Sequence, residues 1–195
     1  MKIRIQGRSL KPVLLWTQRA LIAGAILMLG YCGFVLLDTW IFQARETAAL
    51  ERFVPSEVPL PPAVPEDGLI GRMQVERLGV SVVVMEGTSD KTLRRAVGHI
   101  AGTALPGHTG NIGIAGHRDT FFRPLRNIKS SDVIMLTTRG GEYRYRVVST
   151  KIVHPDNVAV LNSDGHEILT LVTCYPFYFL GSAPERFIVR AERVL

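Results

Sequence analysis

One uninterrupted neutral stretch, Ala20–Leu37 (ALIAGAILMLGYCGFVLL), restricts the folding of this 195-residue chain more than any other feature. At about 1.5 Å per residue a helix over this run covers about 27 Å, and the flanking apolar segments Val13–Trp16 and Trp40–Phe42 extend it to the roughly 30 Å of a bilayer's hydrocarbon core. Trp16 and Trp40 fall near the two expected interfaces, where amphipathic rings favour the headgroup region. A cleavable signal peptide would carry an apolar region of about 7 to 15 residues followed by a small-residue cleavage site. Here the run is longer and leads into Asp-Thr-Trp-Ile-Phe, so residues 20–42 are read as an uncleaved transmembrane anchor.

The formal net charge of +6 and a pI near 9.7 raise the question of a nucleic-acid partner, and the placement of the charge answers it. Lys2, Arg4, Arg8, Lys11 and Arg19 lie in the first 19 residues, which contain no acidic residue. The remaining 176 residues hold 18 Lys and Arg against 17 Asp and Glu, a net of +1. A nucleic-acid-binding domain would concentrate its cations on the folded part, so that class is excluded. A basic segment ahead of the span, with mixed charges (Arg45, Glu46, Glu51, Arg52) behind it, predicts a single-pass protein whose residues 1–19 are cytoplasmic and whose bulk lies outside.

Residues 43–67 read as a juxtamembrane spacer and linker. Its first part has a composition that continues a helix to Arg52, and Phe53–Asp67 (FVPSEVPLPPAVPED) carries five of the chain's 11 prolines. Proline removes backbone donors and favours an extended path or a packed loop. A folded domain is therefore expected over residues 68–195.

Within that domain the pattern is of short strands: Leu69–Val75, Val80–Met85, Asn111–Ala115, Val133–Thr138, Glu142–Val153, Glu167–Thr173 and Arg186–Arg193, with a hairpin signal at Arg139-Gly140-Gly141. Two short helices are expected, Asp90–Val97 with Asp90 at its N-cap, and Asp119–Asn127 around Phe121, Phe122 and Leu125. Seven or eight strands with so few helices make a mainly β fold, a closed barrel or a sandwich, rather than an alternating α/β sheet.

Only two cysteines occur, Cys32 inside the anchor and Cys174 far away in the β domain, a separation that excludes an intramolecular disulfide. A lone exported thiol is either a small buried hydrophobe or a nucleophile. Two further residues follow or start strands as Cys174 ends one: His117, after NIGIAG, and Arg186, twelve residues beyond the cysteine. Together they supply a nucleophile, an acid–base group and a fixed cation for an oxyanion, a set sufficient for acyl transfer. The residue types alone leave open that His117 caps a loop and that Arg186 belongs to an edge-strand ion pair.

The strings GHRDTFFRPL, TLVTCYPF and APERFIVRA resemble the signature segments of the sortases, bacterial cysteine transpeptidases of the cell envelope, most closely the class D type. The likeness covers Gly68–Leu195, and TLVTC matches the family's TLxTC pattern without alteration. It implies a closed sortase-type β-barrel, with Cys174 as nucleophile, His117 as acid–base and Arg186 as the aligning and oxyanion-stabilising cation. It further implies cleavage of an LPxTG-like sorting signal on secreted proteins through a thioacyl-enzyme, then transfer to an amine in the envelope or on another protein, at the bacterial cell membrane. Thr173, beside the cysteine, is expected to touch substrate. A thiol peptidase or acyl hydrolase on the same site, and a non-catalytic envelope-binding β module, are the alternatives.

No cofactor or metal is expected. Asp156, Asp164 and Glu167 are too dispersed for calcium, and His99, His108, His154 and His166 show no paired-ligand spacing, so all four read as loop or surface histidines. Asp119 either orients His117 or caps the helix after it. The apolar stretches Val158–Leu161 and Tyr175–Leu180 read equally as walls of a signal groove and as core. The string LPGHTG at Leu105–Gly110 has one residue too many for a sorting signal and lies inside the domain.

Overall fold

The computed structural model describes residues 11–52, 64–178 and 181–194. The basic tip before Lys11, most of the proline-rich segment, and Phe179 and Leu180 of the expected groove stretch lie outside the described residues. The chain divides into two compact units, Met1–Ile41 and Phe42–Leu195.

The first unit is carried by helix α1 (Lys11–Arg52), which starts there and ends in the second unit. Its apolar side chains point outward all round: Leu21, Leu27, Leu29 and Leu36 are all exposed. A helix apolar on every face suits hydrocarbon rather than water. The segment Pro12–Leu50 contains an 18-residue window of mean hydropathy 2.3, long and apolar enough to cross a membrane.

The last turns of α1 belong to the second unit. The Gln43 side chain donates to the Arg95 carbonyl and accepts the Val83 amide proton at 2.9 Å, the Arg95 guanidinium lies over the Phe42 ring, and Leu50 is buried. Part of the sequence read as a spacer thus packs on the β domain.

Eight strands close into a barrel: β1 (Leu69–Val75), β2 (Val80–Glu86), β3 (Val97–His99), β4 (Gly110–Ala115), β5 (Val133–Thr138), β6 (Gly141–Val153), β7 (Glu167–Tyr175) and β8 (Glu185–Val194). Their order around the wall is β1-β2-β3-β4-β7-β8-β6-β5. Closure leaves no unpaired strand edge. The pairs β2/β3 and β4/β7 are parallel and the others antiparallel. A parallel neighbour requires a crossover, supplied for β2/β3 by helix α2 (Asp90–Arg95) and for β4/β7 by the β5–β6 hairpin.

Alternation fills the interior. Met73, Val82, Ile112, Ile114, Leu136, Tyr145, Leu169, Leu171, Val189 and Ala191 are all buried in one core, and their strand neighbours face outward. Strand β3, not expected from the sequence, is only three residues long. Its Gly98 is obligatory, because a Cβ there would come within 2.2 Å of the Gly87 carbonyl oxygen.

Two expectations about helices are corrected. Ser89, not Asp90, is the N-cap of α2, its Oγ accepting the Thr92 amide proton. The helix expected over Asp119–Asn127 is a run of turns leading to a 3-10 segment, Arg123–Asn127, with Pro124 in its first positions. Phe122 and Leu125 still enter the core, at the three-residue spacing a 3-10 turn eclipses.

One ion pair ties the far side of the barrel together. The Arg77 guanidinium donates to both oxygens of Asp132, which also accepts the Lys129 amide proton. Arg77 first, and the Lys129 amide with it, hold the Asp132 carboxyl below the ordinary carboxylate range. Its folded-state pKa is therefore depressed, and the contribution to stability is present above the unfolded value near 3.9 and lost as pH falls through the lower folded value. In denaturant titrations at pH 7 and near pH 3, Asp132→Asn is expected to lower the midpoint at pH 7 and to shrink the drop between the two; an unchanged pH dependence would exclude this pair as a source of acid lability.

Candidate active site

The barrel register brings three of the expected residues to one end of three adjacent strands. Cys174 in β7 pairs directly with Arg186 in β8, and opposed residues of an antiparallel pair share a face with Cβ atoms about 5 Å apart. On the other flank of β7, β4 runs parallel and Ala115 pairs with Val172. Two residues further along each strand lie His117 and Cys174. The Gly116 amide donates to the Val172 carbonyl at 3.1 Å, which carries the pairing past the end of β4 and fixes the backbone before the histidine. All three side chains are half-buried.

Glycine at 116 has a local cause: a Cβ there would lie 2.8 Å from the Phe122 ring. That buried ring belongs to the turn folded back on His117, whose carbonyl accepts the Phe122 amide proton at 3.2 Å. The loop carrying His117 is thereby packed on both sides.

Arg186 is held through its own backbone surroundings, its Nη1 donating to the carbonyls of Glu185 at 3.0 Å and Ala183 at 3.3 Å. Tyr175, Phe177 and Phe187 form a cluster beside it, with centroids 5.3 to 6.3 Å apart.

Thr173 lies on the inner face of β7. Its side chain is 2% exposed and points inward, the hydroxyl donating to the Gly116 carbonyl at 2.7 Å. Strand alternation puts residue 173 on the face opposite Cys174, so Thr173 braces the His117 loop instead of lining the surface. Asp119 is exposed and lies 3.6 Å from the Arg118 guanidinium; the helix it would have capped is not formed.

Sequence reasoning missed Arg118. It is 6% exposed and donates to the carbonyls of Pro176 at 3.0 Å and Gly181 at 2.9 Å, tying the residue after His117 to two points of the loop between Cys174 and Arg186. An arginine between a catalytic-type histidine and an apolar turn was the available signal. Arg118→Met leaves those carbonyls without their charged donor, and a loss of about 1–3 kcal/mol is expected in urea unfolding. A neutral result would mean the loop holds its shape without the tie.

The outer face beside the three residues is a built cleft. Along β7 the outward residues are Cys174, Val172 and Thr170; their partners on β8 are Arg186, Ile188 and Arg190, and the next partners on β6 are Val153, Lys151 and Ser149. A cleft of about 280 Å³ lies on this face, walled by Asn157, Ala159 and Val160 of the β6–β7 connection. The wall is pinned from beneath: buried Thr170 donates to the Asn111 side-chain oxygen at 2.7 Å, and the Asn111 amide donates to the carbonyls of Val160 at 3.0 Å and Asn162 at 3.3 Å. Val158–Leu161 is thus a wall and not core, with Val158 exposed and Leu161 over Gly113 of β4.

The histidine reading needs one correction. His108, His154 and His166 are exposed, but His99 is 3% exposed, its Nδ1 2.7 Å from Glu86 and its Nε2 donating to the Ala104 carbonyl at 2.9 Å. It fastens the β3–β4 connection, a structural task. Leu105 of the LPGHTG string is buried in the core.

The family model described as Sortase domain matches residues 73–194. The chain belongs to the sortase family. Sortase D of Bacillus subtilis is 32% identical over 189 residues, covering 89% of this chain and 96% of that protein. Sortase A of Bacillus anthracis is 27% identical over 130 residues, with 65% and 60% covered. Among solved structures, the Clostridium perfringens Sortase D5 transpeptidase superposes with a TM-score of 0.69 at 26% identity, covering 78% of this chain and 98% of that one. Sortase C1 of Streptococcus agalactiae gives 0.62 at 29% identity, covering 68% and 71%. The resemblance noted in the sequence, the closed eight-stranded barrel and the apolar N-terminal helix therefore agree with a sortase-family cysteine transpeptidase.

Proposed function

We propose that this sortase cleaves an LPxTG-like signal on secreted proteins and transfers the acyl group to an amine. The reading is supported by the register that sets Cys174 of β7 opposite Arg186 of β8 and runs β4, with His117 just beyond its end, along the other flank of β7, near a walled cleft that reaches Val153, the β6 partner of Arg186. The Cys174 sulfur attacks the carbonyl carbon of the residue before the scissile bond, and Arg186 stabilises the oxyanion that forms. Collapse breaks the C–N bond, with His117 donating a proton to the leaving amine, and leaves a thioester on Cys174. An incoming amine attacks that thioester while His117 takes its proton; C–S cleavage restores the thiol and yields a new amide. Water in place of the amine gives hydrolysis.

The anchor is proposed to cross the bacterial cell membrane once, with the basic residues before it in the cytoplasm and the barrel outside, because Lys and Arg accumulate on the cytoplasmic side. Its partners are then the bilayer, secreted proteins with a C-terminal sorting signal, and an amine acceptor in the envelope or on a pilin-like protein. The test is a peptide library of LPxTG-type signals incubated with the full chain in detergent, with and without added amines. Amide products and a thioacyl adduct on intact protein are expected; cleavage of none of the peptides would overturn the proposal.

A further inference from the structure

The cleft next to Cys174 is not neutral. The register rows run from Cys174–Arg186–Val153 through Val172–Ile188–Lys151 to Thr170–Arg190–Ser149, and the cleft is lined by Val153 from the first, Ile188 and Lys151 from the second and all three residues of the third. Asp164 holds the Arg190 guanidinium at 2.6 Å and lies outside the cleft lining. With that one carboxylate counted against two cations, the second and third rows together carry a net positive charge, supplied by Lys151, and the hydroxyls of Ser149 and Thr170 stand beside Arg190.

Register converts this charge into a position on the substrate. Outward residues of a strand recur about every 6.6–6.8 Å, so the third row lies about 13 Å from the Cys174 row. An extended peptide covers the same distance in about four residues. The acyl part of the substrate stays attached to the enzyme through both steps, so it is the part that gains from a walled, pinned cleft. With the acylated residue at Cys174, the residue four positions ahead of it falls over the Arg190 row, and Lys151, one row nearer the cysteine, lines the same cleft. In an LPxT core acylated at its threonine, that residue immediately precedes the leucine.

We propose that Lys151 and Arg190 make this cleft a specificity subsite for an acidic residue just ahead of the four-residue signal. The inference rests on the sortase reading above and adds the charge of the neighbouring substrate position to it. Exposed pairs are weak and salt-screened, so the expected discrimination is modest and falls with ionic strength.

The test uses three peptides identical except for Glu, Gln or Lys ahead of Leu-Pro-Xaa-Thr-Gly, with the full chain in detergent. At low salt, kcat/KM is expected to fall in the order Glu, Gln, Lys, with about fivefold between the extremes, and the spread to narrow at 0.5 M NaCl. Lys151→Glu, an exposed and fold-neutral change checked by its melting temperature, is expected to reverse the order. Cleavage of all three peptides at equal rates, or an order unchanged in Lys151→Glu, would overturn the subsite while leaving the sortase reading intact. Cleavage of none of them, nor of any peptide in the wider signal library, would overturn both.

Discussion

Cys174→Ala is expected to reduce cleavage of a sorting-signal peptide by the full chain about 10⁴-fold or more and to abolish the thioacyl adduct in intact-protein mass spectra. The size follows from what is removed. Without the sulfur no covalent intermediate forms, and deleting the nucleophile of a cooperating set costs nearly as much as deleting the set, with only binding and oxyanion stabilisation left behind. The melting temperature separates this result from a structural loss. Cys174 is half-buried at the end of β7, outside the core of Leu169, Leu171, Val189 and Ala191, so the melting temperature of the alanine variant should stay within a few degrees of wild type. Retention of more than about one-tenth of the activity would remove Cys174 as the nucleophile. A variant that is inactive and also unfolds early would instead mark it as a packing residue. Cys32 offers no rescue, because it lies in the apolar run of α1 in the other compact unit.

The parts of this fold that were legible in the sequence are those where a periodic pattern decides the structure locally. The expected bounds of β1 and β5 coincide with the observed ones because both are short, apolar-rich runs bounded by polar or glycine-containing turns. Strand β3 escaped because three residues, one of them glycine, carry no period; Gly98 is explained only by the Gly87 backbone that passes against it. The segment after His117 was read as a helix from Phe121, Phe122 and Leu125, whose spacing suits a 3-10 turn as well, and short apolar windows do not separate the two.

The site divides in the same way. Cys174, His117 and Arg186 stand out as candidates because reactive residue types at strand ends are visible one position at a time. The bonds that hold them were not. Arg118 with Pro176 and Gly181, Thr173 with Gly116, and Thr170 with Asn111 each join residues 57 to 63 positions apart, and nothing in a single sequence pairs them. Two polar residues inside otherwise apolar strands, Asn111 in GNIGIA and Thr170 in EILTLVTCY, were the available signal for the pinned wall. His99 was misplaced for the same reason. A histidine followed by Ile-Ala-Gly-Thr reads as a loop residue until Glu86, on a strand whose pairing with β3 is unseen, comes within 2.7 Å.

Arg186→Lys separates charge from geometry and is expected to lower kcat about 10²-fold, with Arg186→Met falling about 10³-fold and KM moving much less in both. Loss of one oxyanion donor costs about 10² to 10³ in kcat when the donor is preorganised. A basis for preorganisation is present: the Arg186 Nη1 is engaged by the carbonyls of Ala183 and Glu185, which restrains the guanidinium of the residue paired in register with Cys174. Lysine preserves the charge but offers a compact ammonium on a flexible stem, unable to hold two backbone carbonyls and still present a fixed donor to the oxyanion. The order arginine, lysine, methionine therefore distinguishes transition-state stabilisation from a general electrostatic pull on substrate, which would leave the lysine variant close to wild type. A purely structural role makes a third pattern, equal losses in both variants accompanied by a lower melting temperature. Burst-phase measurement of thioacyl formation places the effect on the step: slower acylation at unchanged peptide affinity is the result expected of a residue acting on the oxyanion, and a raised KM with unchanged burst rate would reassign Arg186 to substrate alignment alone.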